Sequence, residues 1–129
     1  MGKINDLRIK IQTALNTIQN VDSGVPIPDN VVEDGTTYFG YEIQTSSTFE
    51  TYDKDRLVQI VLTGRVVRVD NPTENTLAIV DDAVDDIVSA LMSLNFYCDT
   101  QDITIEQNIR KVQVSGTAIY DTLNDTIVI

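Results

Sequence analysis

The 129-residue chain has no histidine, no tryptophan, one cysteine, three prolines and few cations. Without histidine, the commonest general base, the Ser–His and Cys–His nucleophile pairs and the commonest transition-metal ligand are all missing. Cys98 alone cannot close an internal disulfide, and no CxxC spacing offers a zinc site. Within Phe96-Tyr97-Cys98-Asp99 it reads as a small buried apolar side chain. As a reactive thiol it would lack a neighbouring cation, and Asp99 would raise its pKa. Nine basic residues stand against twenty acidic ones, a net charge of −11. A phosphate-binding surface and an anionic membrane both need a surplus of cations, so neither is an expected partner. No apolar run approaches the roughly 18 residues that span a bilayer. The expectation is a protein made in a reducing cytoplasm, with no membrane partner and no cofactor.

What is abundant is aliphatic and β-branched. Ile, Val, Leu and Phe supply 41 of the 129 residues, enough for the core of one domain. Ile, Val and Thr together make 45, which favours strands. Ile4, Leu7, Ile11, Ala14, Leu15 and Ile18 recur at helical spacing and predict a helix over 1–20, with Lys3, Arg8 and Lys10 off its apolar stripe. Asp22-Ser23-Gly24, Pro26 and Pro28 predict a loop over 21–36. Strands are expected over 37–70. The strongest is Leu57 to Val69, whose even positions are nearly all apolar and whose odd positions are mixed, with a bend or bulge expected at Gly64. Asn71-Pro72-Thr73-Glu74 is a capping arrangement that opens a helix over 71–95. Phe96-Tyr97-Cys98 reads as a short strand, a turn follows at Asp99 to Asp102, and a last long strand lies within Ile103 to Tyr120. Residues 122–129 form a tail that could add an edge strand. The fold expected is α+β: a mostly antiparallel sheet of four to five strands with two helices packed on one face.

Three clusters invite a functional reading. Asp81, Asp82, Asp85 and Asp86 stack at i and i+4 on the far face of the second helix. They read as a solvated acidic face, as a surface that repels DNA or meets a basic partner, or as carboxylates for Ca²⁺ or Mg²⁺. No EF-hand loop accompanies them, and no metal is expected. Asp53, Lys54, Asp55 and Arg56 read as a solvated turn or as a hairpin tip touching another subunit. Tyr38, Phe39, Tyr41 and Phe49 could stack bases, but the cationic funnel that task requires is missing, so core or subunit packing is the better reading. On the mixed face of the long strand, Leu57, Val61, Val67 and Val69 need cover that helices on the other side cannot give. No nucleophile–base pair and no Gly-rich phosphate loop is present, so no catalysis is expected.

The order of these features resembles the tail terminator, or tail completion, proteins of long-tailed bacteriophages. The likeness runs over residues 3–121: the amphipathic first helix, the proline-containing loop, Tyr38-Phe39-Gly40-Tyr41, Phe49-Glu50-Thr51-Tyr52, the charged Asp53-Lys54-Asp55-Arg56, the strand Leu57 to Val69, the helix Asn71 to Leu94 and the strand Arg110 to Asp121. Neck and head–tail joining proteins share much of this texture. The resemblance implies a homohexameric ring on the tail tube that ends tube polymerisation and meets the head connector, with DNA passing through unbound. The partners implied are other copies of the chain, the tail tube protein and the connector. The place implied is the virion's tail–head junction, after assembly in the host bacterial cytoplasm. It brings Ser23 to Asp34, Thr45 to Asp55 and the tail from Asp121 against neighbours and tube. The interface candidates are then Phe49, Tyr52, Asp53, Lys54, Asp55, Arg56, Leu57, Val61, Val67 and Val69. Asp81, Asp82, Asp85 and Asp86 form the acidic face. The alternative is a small acidic binding module, such as a DNA mimic that blocks a basic enzyme.

Overall fold

The computed structural model describes residues 2–28, 32, 35–46, 57–69, 74–105, 109–121 and 126–128. Its elements in chain order are α1 (Gly2–Asn16), β1 (Val21–Gly24), β2 (Thr37–Ser46), β3 (Leu57–Val69), α2 (Glu74–Ser93), β4 (Tyr97–Ile105), β5 (Ile109–Asp121) and β6 (Thr126–Val128). The sheet runs β1-β2-β3-β5-β4, and β6 pairs with the part of β5 beyond the end of β4. Every pairing is antiparallel except β1 with β2. The fold is therefore α+β, with the tail adding the expected edge strand.

Both helices pack on one face of this sheet. Leu7, Ile11 and Leu15 of α1 and Val80, Val84, Ile87 and Leu91 of α2 are buried. They meet Phe39 of β2, Ile60, Leu62 and Val66 of β3, and Val112, Val114, Ala118 and Tyr120 of β5. Each such side chain contributes about 1.5–3 kcal/mol by leaving water, and this is what holds the two layers together. α2 stops where Asn95 takes a left-handed φ of 69°. Phe96 N–H then reaches back to the Leu91 carbonyl at 3.1 Å and Asn95 N–H to that of Met92 at 2.9 Å, a Schellman ending that drops Phe96 into the core.

Four local expectations need correcting. α1 ends at Asn16 rather than Asn20. There Thr17 donates both its N–H and its hydroxyl to the Ala14 carbonyl, and Asn20 (φ 64°) turns the chain. The predicted loop contains β1, a strand held by parallel pairing to Thr37–Gly40 rather than by any apolar alternation of its own. The turn expected at Asp99 to Asp102 is the middle of β4, and the ladder's irregularity falls between Asp102 and Thr104. Gly64 carries no bulge, because the β3 register runs unbroken through it on both sides. The residue is small because a Cβ would lie 2.5 Å from the Phe39 ring and 2.8 Å from the Gly40 carbonyl oxygen. The capping segment Asn71-Pro72-Thr73 lies outside the described residues.

The second face of the sheet has no helix among the described residues. Part of it is covered by the segment after β1. Pro26 lies so close to Gly40 that a Cβ there would approach its Cα at 2.8 Å. Ile27, Val32 and Val67 line a hollow of about 260 Å³ beside it. Val32 is buried, and Val67 is only 5% exposed.

Candidate functional site

The acidic helix face survives in the structure, but it is joined to something the sequence hid. Asp81, Asp82, Asp85 and Asp86 are all exposed on α2. Asp81 is also bonded to Arg110, the first core-facing residue of β5. Arg110 is 6% exposed, and its Nη2 donates to Asp81 Oδ1 at 2.9 Å and to Asp102 Oδ1 at 3.0 Å. Its buried Nε has no hydrogen-bond partner among the described residues. A guanidinium survives out of water only when charge partners compensate its desolvation, so the two carboxylates clamp α2, β4 and β5 into one unit. Asp81, Asp85, Thr100, Asp102 and Arg110 line an open groove of about 430 Å³ along that edge. Among the described residues, no three His, Cys, Asp or Glu side chains are placed to hold a metal ion together.

At the opposite edge a neutral side chain plays the corresponding part. Gln12 of α1 donates to Asn16 Oδ1 at 2.8 Å and to Ser23 Oγ at 2.9 Å, and accepts from the Tyr41 hydroxyl. It thereby ties α1 to β1 and β2. Tyr41 stacks on Phe39 with ring centroids 5.4 Å apart, so these aromatics serve packing. Burial, with a lesser contribution from Tyr38, raises the Tyr41 pKa and keeps its hydroxyl a donor. Tyr38 is raised by burial and then by Asp22, and it donates to the Val25 carbonyl at 2.6 Å. Arg8, Gln12, Val25, Tyr41 and Ile43 line a groove of about 750 Å³ here. β1 pairs only with Thr37–Gly40, so the six residues Tyr41–Ser46 have no strand on that side among the described residues.

Cys98 sits half-buried on the helix side of β4, packed against the core. Burial first and Asp99 second push its thiol pKa up, which disfavours the thiolate. Of the other sequence candidates, Phe49, Tyr52, Asp53, Lys54, Asp55 and Arg56 lie outside the described residues. Leu57 begins β3. Val61 and Val69 are half-buried on the face without helices. Val67 needs no neighbouring subunit to cover it, because Ile27 and Val32 share its hollow.

Sequence reasoning missed Arg110, Asp102 and Gln12 as structural centres. Only Arg110 left a signal, as a charged residue in step with Val112, Val114, Gly116, Ala118 and Tyr120 on an apolar register. No helix is long and apolar enough to cross a membrane among the described residues. No protein-family model matches the chain, and no curated protein matches it.

Proposed function

We propose that this protein is a structural ring component of a long-tailed phage, of the tail-terminator kind. It caps the tail tube, ends its growth and passes DNA through a central hole. One observation carries the reading. The exposed large apolar side chains among the described residues are Ile9, Val25, Met92, Tyr97 and Ile103. Val25 follows edge strand β1, Tyr97 and Ile103 lie on edge strand β4, Met92 is on the α2 flank shared with Asp85, and Ile9 is on the outer side of α1. A surface with two adhesive ends and a polar middle is what a subunit needs to sit between two copies of itself. Acidic side chains dominate the chain, as suits a conduit through which DNA slides without sticking.

Negative-stain imaging of the purified protein, alone and mixed with phage tail tubes, tests this. Rings with a central hole that sit on tube ends are the expected result. A monomer that forms no rings at high concentration and ignores tubes would overturn it. Tight, salt-sensitive binding to a cationic protein without self-assembly would put the acidic binding module in its place.

A further inference from the structure

The ring reading leaves open which surfaces of neighbouring copies meet. We infer that the α1–β1–β2 edge of one copy receives the α2–β4 edge of the next, so that one sheet continues into another. The inference rests on the ring reading and adds the interface to it.

The strand edges fit in length and direction. On β2, the stretch Tyr41–Ser46, which has no second strand partner among the described residues, is six residues long. On β4, the regular stretch before the irregularity, Tyr97–Asp102, is also six. β2, β3, β5 and β4 alternate in direction across the sheet, so β4 runs opposite to β2. A second copy placed alongside in the same sense therefore presents β4 antiparallel to the free side of β2, the ladder geometry the rest of the sheet already uses. Unpaired strand edges are templates for such pairing.

The layers above and below the strands also match. On the helix side, α1 carries Arg8 in the groove and exposed Ile9 next to it. α2 carries Asp85, and exposed Met92 seven residues on, which helical geometry puts on the same flank. Side by side, Arg8 supplies a counter-charge for Asp85, and Ile9 and Met92 add exposed apolar surface on the helix layer. With the two six-residue stretches in register, Val25 (73% exposed), just past β1 and lining the same groove as Arg8, lies at the Asp102 end of the partner's β4, where Ile103 is also exposed. Tyr97 (72% exposed) falls opposite Ser46 at the other end. On the face away from the helices Glu42 falls opposite Gln101 in that register, so the strand ladder, the exposed apolar side chains and the Arg8–Asp85 pair carry the association. Two α2–β4 edges repel each other, because Asp81, Asp85, Asp99 and Asp102 would face their own copies.

Two variants of the full chain test the assignment. Ile9→Asp with Val25→Asp spoils one edge, and Met92→Ser with Tyr97→Ser spoils the other. All four side chains are exposed, and circular dichroism melts check that the fold is kept. The single changes Val25→Asp and Tyr97→Ser serve if a double variant melts early. Native mass spectrometry then reads assembly. The wild type should exceed a dimer, each variant alone should remain at 14.3 kDa, and an equal mixture should form a one-to-one dimer and nothing larger. That pattern arises only if unlike edges meet. A variant that dimerises alone, or a mixture that stays monomeric, overturns the inference. Wild-type assembly unaffected by any of these changes overturns the edge assignment while leaving the ring reading intact. A wild type that is monomeric throughout overturns both.

Discussion

The two edges of the sheet are tied to their helices by unlike chemistry. At the α1 edge a neutral amide, Gln12, gathers Asn16, Ser23 and Tyr41. At the α2 edge a buried cation, Arg110, gathers Asp81 and Asp102. A neutral centre loses a few hydrogen bonds of modest net value when it is removed. A buried charge is more sensitive to losing its partners than to being lost itself, because an uncompensated guanidinium is worse than none. The first edge should therefore respond to mutation of its hub, and the second to mutation of the hub's surroundings.

The largest effect follows from that asymmetry. Asp81→Asn with Asp102→Asn leaves Arg110 buried without a carboxylate among its described partners, and should cost about 3 kcal/mol in denaturant unfolding. Both aspartates are more than half exposed, which sets the expected loss at the low end of the range for breaking a buried pair. A loss no larger than that of the hub's own removal would break the comparison. Next comes Gln12→Ala, expected to cost about 1.5 kcal/mol in the same assay, since it strips partners from Ser23 and Tyr41 together.

Tyr41→Phe should cost about 1 kcal/mol at neutral pH. Its pH dependence sharpens the point. The folded-state pKa of Tyr41 is raised, so its contribution is complete below the unfolded value near 10 and is lost as pH rises through the higher folded value. Wild type and Tyr41→Phe should thus converge in stability in strong alkali, and a gap that persists there would contradict the hydrogen-bond account. The smallest effect is Arg110→Met, expected within about 1 kcal/mol of wild type, because removing a buried charge along with its desolvation cost is often neutral.

These hubs also mark where the sequence stopped being legible. The helices were readable because Leu7, Ile11 and Leu15, and Val80, Val84, Ile87 and Leu91, repeat at a spacing only a helix turns to one side. β3 and β5 were readable because their apolar residues alternate. β1 was not, since Val-Asp-Ser-Gly has no pattern of its own and becomes a strand only because β2 lies beside it. Gly64 looked like a flaw in a strand, yet its missing side chain makes room for Phe39, a neighbour across the ladder. Arg110 looked like the polar start of a strand. Its burial depends on Asp81, 29 residues away, and local pattern carries no information about such a partner. Val67 looked like exposed apolar surface because nothing in the local sequence pattern announces that Val32, 35 residues earlier, is buried beside the same hollow. The edges that the ring reading depends on were equally hidden, because an unpaired strand side exists only once the strand order is known.

Sedimentation equilibrium of the wild-type chain over about a hundredfold range of concentration tests the central claim most directly. Joining unlike edges into a closed ring predicts a mass that rises from 14.3 kDa and levels off at one fixed multiple of it. A mass of 14.3 kDa at every concentration, or one that keeps growing without a plateau, would contradict it.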